Sequence, residues 1–167
     1  DNDNSPTTGG ASITIWSENW ETGGGFTFPA GWTIVHPTSG DRNSWFIDDV
    51  GSCGYEITNR TMTVLDNEGS TGSLFCGYWN YAQDPIYFYR QVDATGLADI
   101  TANFNYRADG EVGFDFGELI YATNPAGTWS TLATYNGQPT TQAASVTLPN
   151  SLNNSIFYLG WRFTNNT

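Results

Sequence analysis

The sequence predicts an all-β fold, an antiparallel two-sheet jelly-roll β-sandwich. Aromatic residues make up 16% of the chain and glycines number 19, whereas charged residues reach only 13%. Such a composition is rich in residues that form strands and turns and poor in helix formers. Short strand-like runs recur between turn clusters such as "ADGE", "NPAG" and "LPNS". Their number exceeds the seven strands of an immunoglobulin-type sandwich, which favours a jelly roll.

The predicted leader and strands follow from local patterns of polar and apolar residues. The first ten residues, "DNDNSPTTGG", are polar and aperiodic and are predicted to be a flexible leader or linker before a single domain over residues 11–167. In "ITANFNYR" the residues Ile100, Ala102, Phe104 and Tyr106 share one face, as in a half-buried strand. The predicted strands, in order, are "ASITIW", "TIVH", "SWFI", "TMTVL", "SLFCGYW", "IYFYRQV", "ITANFNYR", "ELIYAT", "STLATY", "ASVTL" and "IFYLGWRF".

The charge balance excludes two classes of partner. The net charge is -12, and all five cationic residues are arginines spread along the chain. A surface without a basic patch does not attract nucleic acid or anionic lipid. No apolar run is long enough to cross a bilayer, so membrane insertion is not expected. Divalent cations and neutral polysaccharides are compatible partners.

The two cysteines indicate the redox environment in which the protein resides. Cys53 and Cys76 are consistent with one disulfide in an oxidising environment, although two buried thiols would give the same sequence. The absence of lysine and the many hydroxyl side chains also favour a secreted or cell-surface protein.

Catalytic groups are weakly indicated. His36 is the only histidine, so any Ser–His–Asp or Cys–His machinery must include it. It precedes a proline at a predicted strand end, where a turn residue is the better interpretation. Asp115 and Glu118 could form a glycosidase pair, but their odd spacing places them on opposite faces of a strand. We therefore predict a protein that is not an enzyme.

Calcium is the cofactor that the acidic residues favour, in a structural role. The cluster "SENWE" contains Glu21, and the cluster "LDNEGSTG" contains Asp66 and Asn67. Calcium binds several hard oxygens of carboxylates, amides and carbonyls on loops. The alternative is that both clusters are acidic turns without a metal, as in many strongly acidic chains.

Aromatic clusters could provide a sugar-binding surface. The runs "CGYWNY" and "IYFYR" contain Tyr78, Trp79, Tyr81, Tyr87 and Tyr89. Exposed aromatic patches often mark binding sites, and Trp79 and Tyr81 are the preferred ligand-binding candidates. The alternative is that these rings belong to the core of the sandwich.

Several motifs together resemble a known family. "NWETGGGFTFPAGWTIVHPTSGDRNSWFI", "TMTVLDNEGSTGSLFCGYW" and "GELIYATNPAGTWSTLATYNG" are similar to segments of the cleaved-adhesin and MAM-like jelly-roll modules of secreted Bacteroidetes-type proteins. The resemblance runs from about Trp16 to the end of the chain and implies a jelly roll with adhesive, sugar-binding or accessory roles. It also implies that Glu21, Asp66 and Asn67 match positions where such modules hold calcium.

The chain departs from this family at its end, where the further strand with an acidic "DD" ending is not seen after "WRFTNNT". A sandwich that lacks an edge strand can accept one from a neighbour. "ASITIW" offers Ile13 and Ile15 in alternation with polar residues, either as this donated assembly strand or as the first strand of its own domain.

The sequence is compatible with three functions. The first is a non-catalytic extracellular module for adhesion or assembly, in the form of a surface-fibre subunit that associates with itself. The second is a carbohydrate-binding module accessory to a secreted enzyme. A hydrolase that uses carboxylates is the third.

Overall fold

The computed structural model describes residues 12–35, 42–48, 59–67, 74–75, 77–79 and 85–165. Within these ranges the chain forms ten β-strands, one 3₁₀ turn at Asn150–Leu152 and no α-helix. The strands are β1 Trp32–Val35, β2 Asn43–Asp48, β3 Thr61–Asn67, β4 Leu74–Phe75, β5 Ile86–Asp93, β6 Thr101–Ala108, β7 Phe116–Ala122, β8 Ser130–Tyr135, β9 Gln138–Thr147 and β10 Ile156–Thr164. No helix in these ranges has the length and hydropathy needed to cross a membrane.

The largest sheet has five antiparallel strands in the order β1-β5-β10-β7-β8. Along β5 the side chains of Ile86, Phe88 and Val92 are buried, whereas Tyr87 and Tyr89 between them are half-buried and point to the other side. Because side chains alternate along a strand, the sheet has one inner face and one outer face.

Two smaller antiparallel sheets, β2-β3-β4 and β6-β9, contribute to the core over the inner face. The ring of Trp45 on β2 lies 4.7 Å from that of Phe88, and the ring of Phe104 on β6 lies 5.5 Å from that of Trp161 on β10. Each small sheet therefore packs against a different part of the large one, with one hydrophobic cluster under each. The all-β antiparallel class is confirmed.

Ten of the eleven predicted strands overlap a strand of the structure, although the "SLFCGYW" strand is limited to Leu74–Phe75. The prediction that "ASITIW" is the first strand of its own domain is wrong for the described residues 12–16, which form no strand. Ile13 and Ile15 are 66% and 38% exposed, and Trp16 instead packs edge-on against Trp32 with ring centroids 5.5 Å apart. The predicted leader, residues 1–10, lies outside the described residues.

Candidate functional site

Four aromatic side chains meet on the outer face of the five-stranded sheet. Tyr87 and Tyr89 lie on β5, Tyr158 lies on β10, and Trp129 directly precedes β8. All four are half-buried. We call this group the aromatic platform.

The rings of the platform are in mutual contact. The centroid of Trp129 lies 5.1 Å from that of Tyr89 and 5.6 Å from that of Tyr87. Tyr87 and Tyr89 are stacked at 6.3 Å with an interplanar angle of 27°, and Tyr158 meets Tyr89 edge-on at 5.7 Å. The four rings therefore form one continuous apolar surface on the solvent side of the sheet.

The loop between β7 and β8 places Trp129 on the platform. Its sequence "TNPAGT" forms a turn in which the Asn124 side-chain oxygen accepts a hydrogen bond from Ala126 N–H at 3.0 Å, and the Asn124 carbonyl accepts one from Gly127 N–H at 3.0 Å. The Trp129 indole N–H donates to the Pro125 carbonyl at 3.3 Å. Asparagine, proline and glycine are typical turn residues, so the loop conformation and the indole orientation follow from local sequence.

Gly160 leaves room beneath the rings. On β10 it is paired with Tyr89 of β5 and Ile120 of β7, and it lies between Tyr158 and Arg162 on the outer row. A Cβ at this position would meet the Phe88 carbonyl and would lie 2.8 Å from the Cβ of Tyr89. The glycine therefore permits the close approach of β5 and β10 under the platform.

Polar groups lie on the same outer face. Arg162 forms an ion pair with Glu118 on β7 at 2.6 Å, and Thr131 bonds to both, donating to Glu118 at 3.1 Å and accepting from Arg162 at 3.0 Å. Burial raises the pKa of the Glu118 carboxyl, but the hydrogen bond and charge of Arg162 lower it by more, so the net pKa lies below its usual range. On the same face, the amide of Gln91 on β5 donates to the hydroxyl of Tyr158 at 3.4 Å.

This arrangement is suited to binding a flat ligand with an apolar face and polar edges. Aromatic faces carry a negative quadrupole and attract the slightly positive C–H groups of such a ligand. The charged and amide groups on this face offer hydrogen-bond donors and acceptors in fixed positions.

The predicted sugar-binding residue Trp79 lies elsewhere and is tied into a network. Its backbone N–H donates to the Asn43 side-chain oxygen at 2.6 Å, and its carbonyl accepts from the Asn165 side chain at 3.0 Å. The guanidinium of Arg42 lies 3.4 Å from the centroid of its ring. Trp79 therefore has a structural role in these contacts. Tyr81 lies outside the described residues.

Two of the three predicted calcium ligands, Asp66 and Glu21, contact different arginines. Asp66 is almost buried and forms a two-point ion pair with Arg42, at 2.8 and 2.5 Å. The exposed Glu21 carboxylate accepts from the backbone N–H of Arg60 at 2.9 Å, and the side chain of Asn67 lies outside the described part. In that part no group of three or more His, Cys, Asp or Glu side chains could hold a metal. Calcium binding stays a prediction.

Of the remaining predicted residues, some lie outside the described ranges and others have described contacts. Cys53, Cys76 and His36 lie outside the described residues. Asp115 is buried and accepts a hydrogen bond from the hydroxyl of Tyr78, whose ring lies beside that of Phe163, whereas Glu118 lies on the outer face. The two carboxylates therefore do not form a pair.

Sequence reasoning found Tyr87 and Tyr89 as aromatic candidates but missed Trp129 and Tyr158. The alternation of "IFYLGWRF" on β10 places Tyr158 on the same face as Arg162, and that pattern is visible in the sequence. Nothing local indicates that Trp129 reaches the face of β5.

No protein-family model, no curated protein and no solved structure matches the chain. The function is therefore argued from the site.

Proposed function

We propose that the protein is a non-catalytic, secreted or cell-surface jelly-roll module that binds a neutral polysaccharide through the aromatic platform, in an adhesive role. The observation that carries this proposal is the three-ring contact of Tyr87, Tyr89 and Trp129 on the outer face of the five-stranded sheet. Pyranose rings have one predominantly C–H face, which stacks on an aromatic ring, and hydroxyl groups at their edges.

The placement of the rings supports a binding role over a packing role. The hydrophobic core lies on the opposite face of the sheet, where Phe88, Phe157 and Leu159 are buried. Half-buried rings that contact one another outside the core leave apolar area in water, and an exposed apolar patch of this kind is typical of a binding site.

The charges on this face favour a neutral sugar. Its positive charge, Arg162, is neutralised by Glu118 at 2.6 Å. The chain as a whole carries a net charge of -12 and therefore repels a polyanion. A neutral chain of sugars pays no such electrostatic cost, and its hydroxyls can bond to the side chains of Gln91, Thr131 and Glu118.

The test is binding of the purified protein to an array of neutral and acidic polysaccharides, followed by titration calorimetry on the best ligand. We expect Trp129→Ala and Tyr89→Ala each to weaken binding by more than about tenfold, because each removes a stacking surface. The matched control is Phe26→Ala, which removes another exposed ring, 5.1 Å from Phe46 and on a different part of the molecule.

Two results would contradict the proposal. One is a wild-type protein that binds none of the neutral polysaccharides while remaining folded. The other is an equal loss of binding in Phe26→Ala and Trp129→Ala, which would show that the platform is not the binding surface.

A further inference from the structure

Strand β6 is an eight-residue sheet edge. Among the residues that the structure describes it pairs with β9 alone, and no strand lies on its other side. Over 101–105 the pairing with β9 is regular, and the irregularity of the ladder comes only between Tyr106 and Ala108. Proline, charged side chains or bulges usually prevent an edge strand from pairing further, because its unpaired backbone groups can otherwise hydrogen-bond to another strand.

The hydrogen bonds of the ladder show which backbone groups of β6 are available. Leu148 N–H donates to the Ile100 carbonyl at 2.9 Å, so the backbone groups of even-numbered residues point to β9. Successive residues of a strand point their N–H and C=O groups to opposite sides. Thr101, Asn103 and Asn105 therefore direct theirs to the open edge.

The other described edges are less suitable. Strands β1 and β4 have only four and two residues, the edge of β2 is already bridged by Gly25 at Ile47, and the pairing of β8 with β7 is interrupted by a bulge. Strand β9 carries Pro139, a residue that protects an edge, and its inward side chains Gln142 and Ala144 offer less apolar surface than Phe104 on β6.

A matching segment exists near the start of the described chain. Residues 12–15, "SITI", make no hydrogen bond to any residue that the structure describes, and Ile13 is 66% and Ile15 38% exposed. Just beyond, Trp16 is anchored between Trp32 and the Arg90 guanidinium, whose carbon lies 4.5 Å from the indole centroid. The segment therefore has strand-like alternation but no strand partner.

We infer that residues 12–15 of one copy of this chain add to the open edge of β6 in a second copy. Ile13 and Ile15 then lie on the inner side beside Ala102 and Phe104, while Ser12 and Thr14 lie outside beside exposed polar side chains. This is strand addition, in which main-chain bonds give affinity and alternate side chains give specificity.

The contact between residues 12–15 and 101–105 avoids the charge repulsion that two copies of this chain meet elsewhere. Copies with a net charge of -12 repel one another over most of their surface. Residues 12–15 and 101–105 contain no charged side chain, so this contact brings no carboxylates together. Donor and acceptor are different surfaces, so the association is head-to-tail and grows into a fibre unless it closes into a ring.

The experiment measures assembly of the full chain by light scattering and negative-stain electron microscopy. The donor variant is Ile13→Asp with Ile15→Asp, and the acceptor variant is Asn103→Pro, which removes an N–H from the open edge and none from the ladder with β9. We expect wild type to form linear oligomers and each variant alone to be monomeric. An equimolar mixture of the two variants should stop at dimers, because one intact donor meets one intact acceptor.

Two control variants match these changes. Ile156→Asp charges an isoleucine that is 50% exposed elsewhere, and Ser145→Pro removes an N–H from the outer edge of β9. Both should assemble like wild type. If Asn103→Pro does not fold, an excess of a peptide of residues 11–17 should cap wild-type growth, whereas a scrambled peptide should not.

The inference is overturned by a wild-type chain that stays monomeric at its highest soluble concentration, or by donor variants that assemble normally. The inference is also overturned if Ser145→Pro prevents assembly and Asn103→Pro does not, because that result assigns the contact to β9. Polysaccharide binding plays no part in these measurements, so their failure is separate from failure of the proposed function.

Discussion

The guanidinium of Arg42 lies over the indole of Trp79, 3.4 Å from the ring centroid. The same guanidinium forms a two-point ion pair with Asp66, so the ring, the arginine and the carboxylate act as one unit. A ring covered in this way is a structural element that ties residues 77–79 to the neighbouring strands.

Trp79→Ala is therefore expected to destabilise the fold and leave sugar affinity unchanged. The ring is half-buried, so we expect a loss of about 2–3 kcal/mol in the free energy of unfolding, below the roughly 3–5 kcal/mol of a fully buried ring. Urea unfolding and calorimetric titration with polysaccharide measure the two quantities. If stability were unchanged and sugar binding were lost, Trp79 would be a ligand-binding residue.

The Glu118–Arg162 ion pair predicts sensitivity to acid. Because the pKa of the Glu118 carboxyl is lowered from its ordinary value of 4.5 in the fold, its contribution to stability is present above 4.5. The contribution is lost as pH falls through the lower folded pKa. The urea midpoint of Glu118→Gln should consequently approach that of wild type in acid; a difference between the two that stays constant as pH falls would contradict the prediction.

Tyr78 predicts sensitivity to base. Burial and the hydrogen bond to the Asp115 carboxylate raise the pKa of its phenol from 10.0 to about 12. The protonated phenol therefore stabilises the fold fully below pH 10.0, and this stabilisation disappears as pH rises to about 12. The difference between the phenolate absorbance titrations of wild type and Tyr78→Phe should show one phenol, that of Tyr78, ionising near 12. Ionisation near 10 would contradict the assignment.

Gly160→Ala should destabilise the sheet beneath the platform. The new Cβ would overlap the Phe88 carbonyl and the Tyr89 side chain, and overpacking of this kind costs about 1–3 kcal/mol. Gly117→Ala on the adjacent strand is the control, since the nearest atom to its Cβ is 4.0 Å away. Thermal melting compares the two variants, and an equal effect in both would exclude the clash as the cause.

A disulfide between Cys53 and Cys76 stays a prediction, as both residues lie outside the described part of the chain. A bond that closes a loop of this length should stabilise the fold by about 3–4 kcal/mol. Titration of free thiols under denaturing, non-reducing conditions should find none. Two thiols per chain would reject the bond.

The sequence by itself determined the all-β class and the approximate positions of ten strands. This was possible because strand alternation is a local pattern: "ITANFNYR" shows its buried face without knowledge of any partner strand. The same pattern separates Tyr87 and Tyr89 from Phe88, so their common face was also readable. Turn chemistry in "NPAG" predicted the loop that carries Trp129.

Only the tertiary structure decided that Trp129 contacts Tyr87 and Tyr89, because strand β10, which is last in the sequence, lies between β5 and β7 in the sheet. It also decided that Trp79 is covered by Arg42 and that residues 12–16 form no strand. Strand order and register depend on contacts between residues far apart in the chain, and a strand-forming pattern becomes a strand only where an edge is available to pair with it.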